Sequence, residues 1–141
     1  ATTESYSLSL QDALPLSEFL LFLMLLIDAG GDTPRNLVAT GMHELLRAPE
    51  QLALLKSDVE RYLPDARDEL LRWTSPVIYM RRTATRDTEL RGKQIREGDK
   101  IVLYYGAANR DGAAFHNPND LDITRSPNKH LAFGEIGRAH V

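Results

Sequence analysis

The chain contains no cysteine. That absence excludes disulfide staples, thiolate metal sites and a cysteine nucleophile together. Excess positive charge is missing too: 17 basic against 20 acidic side chains give a net charge of −3. A broad basic footprint for nucleic acid is therefore absent. No apolar stretch suits a bilayer. The longest, residues 19–27, lies between Glu18 and Asp28, is about half of what a membrane span needs, and reads as a buried core helix. The opening residues Ala1-Thr2-Thr3-Glu4 carry neither an initiator Met nor a basic leader. A secretory signal is thus not read there, and the chain is expected to begin in mid-protein, in a cytoplasmic protein. Internal repeats and low-complexity tracts are lacking as well. What remains, 43% apolar and 26% charged residues over 141 positions, is ordinary for a single globular domain.

Residues 1–13 read as polar loop, with Leu8, Leu10 and Leu14 as anchors. Helical spacing begins near Leu16-Ser17-Glu18 and continues through the apolar run. That run is apolar on nearly every face, which predicts a helix buried on all sides. Gly30-Gly31-Asp32-Thr33-Pro34 then carries a stop-and-restart signature, with Gly ending one helix, Thr33 as N-cap and Pro34 at the first position of the next. Leu37, Val38, Met42, Leu45 and Leu46 resume helical spacing up to Arg47. A short helix is predicted over 49–56, and another from 58 or 60 to 73. Past Ser75-Pro76 the pattern turns to β, with strands over 77–84, 88–90 and 93–95 about an Arg91-Gly92 turn, and 100–105. From Asp111 onward Asn, Asp, Pro and Gly predict a long ordered loop. Helices followed by a small sheet predict a mainly α, α+β arrangement.

Several short motifs stand out against this background. Ala29-Gly30-Gly31-Asp32-Thr33 reads locally as the helix junction just described. Glu69 and Arg72 are three residues apart on a predicted helix, a pair worth roughly 0.2–0.5 kcal/mol on any helix surface. Arg81-Arg82-Thr83-Ala84 reads as an exposed, charge-decorated strand whose two arginines point to opposite faces. His130 reads as a solvated loop side chain, and His43 and His116 as surface residues. Ala108-Asn109-Arg110-Asp111, Leu121-Asp122-Ile123-Thr124-Arg125 and His130-Leu131-Ala132-Phe133-Gly134 complete the series.

In their order and spacing these motifs resemble those of the cytochrome P-450 haem-thiolate monooxygenases of the soluble bacterial kind, over about residues 14–134. The resemblance implies a partial fold of that family: the long distal helix, the Glu-x-x-Arg helix, a β-sheet and the loop leading to the haem. It implies haem b as cofactor, dioxygen, a small organic substrate, and electrons from a redox partner, either a ferredoxin or a flavoprotein. Neither nucleic acid nor a membrane is implied. The activity would be insertion of one oxygen atom into the substrate. In that frame Ala29 and Gly30 let the cofactor approach the helix backbone, and Asp32 and Thr33 deliver protons. Arg82 and His130 bind the haem propionates, and Phe133 begins the haem loop. Glu69, Arg72 and Arg125 form a buried charged triad. Val77, Ile78, Tyr79 and Met80 face a substrate that is apolar at that contact.

The likeness stops at Gly134. The family's loop reads Phe-Gly-x-Gly-x-(His or Arg)-x-Cys, which places the iron's cysteine ligand at position 140. His140 stands there, and Ile136 stands where the second Gly belongs. No metal ligand is therefore assigned, and the chain as written is expected to be inactive. Residues 135–141 read as a non-native tail encoded by a sequencing-library adapter, leaving 1–134 as the partial domain. A non-catalytic remnant that binds a partner, and a haem protein ligated by His140, are the alternatives. Sequencing the source DNA past residue 134 should recover Gly-x-Gly-x-(His/Arg)-x-Cys in frame with Phe133; the present seven residues followed by a genuine stop would refute the tail reading.

Overall fold

The computed structural model describes residues 15–134; the loop anchors Leu8, Leu10 and Leu14 and the tail 135–141 lie outside them. The chain divides into two compact units, Ala1–Arg35 and Asn36–Val141.

Helix α1 (Leu16–Arg47) supplies all but one of the described residues of the first unit. The predicted interruption at residues 30–34 does not occur. Gly30 and Gly31 keep helical backbone instead of the left-handed conformation that a glycine stop requires. Pro34 sits inside the helix, at a cost of about 3 kcal/mol. Propagation through a long helix, where each added residue gains a hydrogen bond without a new nucleus, outweighs these weak local signals. Asp32 does not mark a boundary; its carboxylate receives Arg35 Nη2 at 2.6 Å, one turn onward.

The expected burial of this helix also fails. Leu20, Leu21, Phe22, Leu23, Met24, Leu25, Leu26 and Ile27 are 41 to 66% exposed. A helix that is apolar around its circumference cannot bury itself, and the described residues of the first unit contain no second element to cover it. None of the described helices is long and apolar enough to cross a membrane.

The second unit is built on α2 (Pro49–Ser57) and α3 (Val59–Thr74). Asp58 caps α3, its Oδ1 accepting from the Arg61 amide at 3.1 Å. Ser75 ends α3 in the left-handed region at φ 42°, donating its amide to the Leu71 carbonyl. Leu45, Ala66 and Ile123 form the buried centre, with Leu52, Leu55, Tyr62, Leu70 and Leu121 packed around it. Gly41 is buried there; a Cβ in its place would meet Leu70 Cδ1 at 3.4 Å.

The expected small sheet resolves into two antiparallel pairs. Strand β1 (Tyr79–Thr83) pairs with β4 (Lys100–Tyr104), setting Tyr79 opposite Tyr104 and Arg82 opposite Ile101. Strands β2 (Thr88–Leu90) and β3 (Lys93–Ile95) form a separate hairpin. Its two-residue turn has Arg91 at φ 48° and Gly92 at φ 77°, the doubly positive arrangement that suits the twist of a hairpin. A single helical turn, α4 (Tyr105–Ala108), follows β4. From there to Gly134 the described chain has neither helix nor strand.

The exposed helix yields a solubility prediction. Expressed alone, residues 1–141 should bind a hydrophobic dye. Leu21→Glu combined with Leu25→Lys should reduce that binding while changing stability by no more than about 0.5 kcal/mol. A thermal transition without any dye binding in the parent chain would contradict the assignment of this face as exposed.

Candidate functional site

One carboxylate organises the long loop. Glu69 and Arg72 lie one turn apart on α3, and both side chains are 0% exposed. Arg72 grips Glu69 bidentately, Nε to Oε2 and Nη2 to Oε1, both at 2.8 Å. Arg125 adds a second guanidinium, Nε to Glu69 Oε2 at 3.0 Å. The structure thus brings Glu69, Arg72 and Arg125 together. The two arginines also seize backbone carbonyls of the loop. Arg72 donates to the carbonyls of Asn109 at 2.7 Å, Pro118 at 2.8 Å and Asp120 at 3.3 Å. Arg125 donates to those of His116 at 2.6 Å, Asn117 at 3.3 Å and Asp120 at 3.1 Å. A segment without a ladder of its own is held by side chains instead.

Two aromatic rings flank this cluster. The Arg72 guanidinium carbon lies 5.6 Å from the Trp73 ring centre and 5.4 Å from that of Phe115, within cation–π range. Nearby, burial pushes the Asp122 carboxyl up, but the Thr124 hydroxyl and amide and the charges of Arg125 and Arg72 hold it below its usual range.

The loop ends against a cavity of about 630 Å³, lined among others by Arg82, Leu103, Tyr104, Leu131, Phe133 and Gly134. Strand alternation puts Arg82 on this wall, where its Nη1 donates to the Arg81 carbonyl at 3.1 Å. Gly134 is at φ 76°, and a Cβ added there would lie 2.6 Å from the Tyr105 hydroxyl oxygen. Only glycine serves at that position. Apolar walls with one guanidinium suit a flat apolar ring that carries a carboxylate.

His130 lines an adjacent cavity of about 420 Å³ with Phe115, Lys129, Leu131 and Gly134. The two cavities share Ala108, Leu131 and Gly134, but Arg82 and His130 do not line a common one. Burial lowers the His130 pKa below its ordinary value; the charges of Asp68 and Glu69 oppose that shift in part. Burial thus favours the neutral form of the ring. Its Nδ1 accepts the Ala132 amide at 3.3 Å, which leaves the proton on Nε2 as a donor.

The remaining sequence candidates lie elsewhere. Ala29, Gly30, Asp32 and Thr33 belong to the first unit, with Thr33 half-buried and Asp32 exposed. Val77 is half-buried, while Ile78, Tyr79 and Met80 are exposed, and none of these four lines the 630 Å³ cavity. Tyr79 instead pairs with Tyr104, ring centres 5.6 Å apart. Sequence reading missed Tyr104 and Tyr105 as wall residues. Strand alternation opposite Arg82 points to Ile101 and Leu103 instead, so no pattern in the sequence flags either tyrosine. It also missed Asn128, whose Nδ2 donates to Glu69 Oε2 at 3.0 Å; nothing local signals that contact. Among the described residues no cluster of His, Asp and Glu could hold a metal ion, and Ile136 and His140 lie outside them.

The family model described as cytochrome P-450 matches residues 9–135. The chain is 47% identical over 123 residues to a methyl-branched lipid omega-hydroxylase of Mycobacterium tuberculosis, covering 87% of this chain and 28% of that protein. It is 43% identical over 120 residues to a steroid monooxygenase of Rhodococcus jostii, covering 85% and 25%. Among solved structures, a Mycobacterium marinum cytochrome P-450 in complex with pseudoionone superposes with a TM-score of 0.83 at 42% identity, covering 86% of this chain and 29% of that one. The chain thus spans less than a third of the length of these proteins.

The charge cluster generates a contrast in stability. Arg72→Met should cost about 3–5 kcal/mol, because it strands a buried carboxylate. Arg35→Ala, which removes a pair whose side chains are 76% and 63% exposed, should cost at most about 1 kcal/mol. Denaturant unfolding of both variants checks this, and equal losses would show that the buried cluster has no special weight.

Proposed function

We infer the function from one premise: the chain belongs to the cytochrome P-450 family. It is a portion of a haem-dependent monooxygenase that inserts one atom of dioxygen into an apolar organic substrate, with electrons from a ferredoxin or flavoprotein. The observation that carries this reading is the apolar cavity beside Phe133 and Gly134 with Arg82 in its wall. Apolar substrates fit the names of relatives that act on a methyl-branched lipid or a steroid.

Haem b, when bound, supplies the oxidising chemistry and dioxygen activation; the rest falls to the chain. The Arg82 guanidinium would hold one haem carboxylate. His130 would serve the other through its ring nitrogen. Leu103, Leu131 and Phe133 would shield the ring from water. Ala29 and Gly30 give a backbone without bulk, and Asp32 and Thr33 provide an acid and an alcohol side by side for proton delivery. The residues present fit the ring and its carboxylates. They do not include a thiolate, so the chain as written is read as inactive in monooxygenation.

The test uses the intact full-length parent, with the Phe-Gly-x-Gly-x-(His/Arg)-x-Cys loop in place. It should take up haemin, and Arg82→Leu should weaken retention by a factor of roughly ten to a hundred, as expected for one charge-assisted hydrogen bond. Thr33→Ala should leave uptake intact while diverting reducing equivalents to peroxide. Failure to take up haemin would end the reading; unchanged coupling of electron use to product in Thr33→Ala would remove Thr33 from proton delivery.

A further inference from the structure

One buried side chain lines neither cavity yet holds a wall common to both. Asn109 is 0% exposed, and its polar groups are all engaged. Its Oδ1 accepts the Leu131 amide at 2.6 Å, and its Nδ2 donates to Ser75 Oγ at 2.9 Å. Its carbonyl accepts Arg72 Nη1 at 2.7 Å, and its own amide donates to the Tyr105 carbonyl at 2.8 Å. Ser75 in turn donates from Oγ to the Arg72 carbonyl at 3.0 Å.

We propose that Asn109 is the positioning residue that transmits the Glu69–Arg72–Arg125 cluster to the cavity wall, fixing where Leu131–Gly134 stands relative to α4. The proposal rests on the haem-site reading for its functional consequence, though not for its geometry.

The reasoning is one of donors and acceptors. Residues 131–134 belong to no strand or helix, so no ladder sets their position. The wall is held at two points. At one end Leu131 is bonded to Asn109 Oδ1. At the other, Gly134 lies against the Tyr105 ring so closely that a Cβ would meet its Cζ at 3.2 Å. Both holds originate within five consecutive residues, Tyr105 to Asn109. That short piece is itself clamped to α3 through Arg72 and Ser75. At position 109 the acceptor Oδ1 holds Leu131 while the donor Nδ2 separately engages Ser75. Leu131 lines both cavities, so a shift there alters the surroundings of Arg82 and His130 together.

The experiment measures amide hydrogen exchange in the full-length protein, haemin-free and haemin-loaded, for Asn109→Ala, Asn109→Asp and Ser75→Ala. In Asn109→Ala the Leu131 amide should exchange roughly tenfold faster relative to the α3 amides, the factor one lost hydrogen bond accounts for. Haemin retention should fall in parallel. Asn109→Asp, which keeps an acceptor oxygen, should restore Leu131 protection, and Ser75→Ala should leave it within about twofold of the parent. If Asn109→Ala does not fold, the other two variants decide. Parent-like Leu131 protection in Asn109→Ala, or its loss in Asn109→Asp, would overturn the proposal. The haemin-free arm separates it from the haem reading: without haemin uptake, loss of Leu131 protection in Asn109→Ala still establishes the hold on the wall and sinks only the function assigned to it.

Discussion

The described part of the second unit depends on burying the Glu69 carboxylate among hydrogen-bond donors. Removing a carboxylate and a guanidinium from solvent costs several kcal/mol each, and their mutual attraction offsets this only when every other hydrogen-bonding site is also filled. Here every donor of Arg72 is used. Arg72 has five N–H donors; two go to Glu69 and three to the carbonyls of Asn109, Pro118 and Asp120. The two Glu69 oxygens accept from Arg72, Arg125, Asn128 and the Asp122 amide. Those partners lie between residues 72 and 128, so the charge can be buried only if the loop is in place. The loop, lacking regular structure, can be in place only if the charge is there. Each condition supplies the other, which is the form cooperativity takes in this unit.

That mutual dependence explains what could be read from sequence. The hairpin over Thr88–Leu90 and Lys93–Ile95 was legible because its signal is local: short β-prone runs about a two-residue turn. Helix α3 was legible as well, expected from 58 or 60 to 73 and found over Val59–Thr74. The Glu69–Arg72 spacing was legible too, but only as a weak surface pair; burial turns the same spacing into the centre of the unit. The carbonyls of residues 109 to 120 carry no side-chain signature, so no pattern could reveal where the spare guanidinium donors go. Arg125 entered through family resemblance, not through any property of Leu121-Asp122-Ile123-Thr124-Arg125 itself.

The two failures along α1 have a common origin. Gly30, Gly31, Thr33 and Pro34 are start and stop residues by local rules, and the apolar run before them demands burial by composition. Both rules describe averages over short helices with a core on one side. Over 32 residues propagation overrides the punctuation, whereas burial depends on partners that a run of leucines does not provide for itself. Local propensity was overruled in the first case, and in the second a tertiary requirement was mistaken for a tertiary fact.

The charge cluster and the cavity stand in an order of energy that bears on function. Arg72 and Glu69 are wholly buried, and losing either strips the other of its bidentate partner. Arg82, by contrast, is exposed, and its Nη1 donates to the neighbouring carbonyl of Arg81. A guanidinium so lightly held gives up little when it turns to a carboxylate, whereas a saturated one such as Arg72 would have to abandon five bonds. Position in the cavity and spare donor capacity therefore coincide in Arg82, and rigidity and saturation coincide in Arg72. The fold separates the arginine that supports the site from the arginine suited to bind in it, although both carry the same charge on the same side chain.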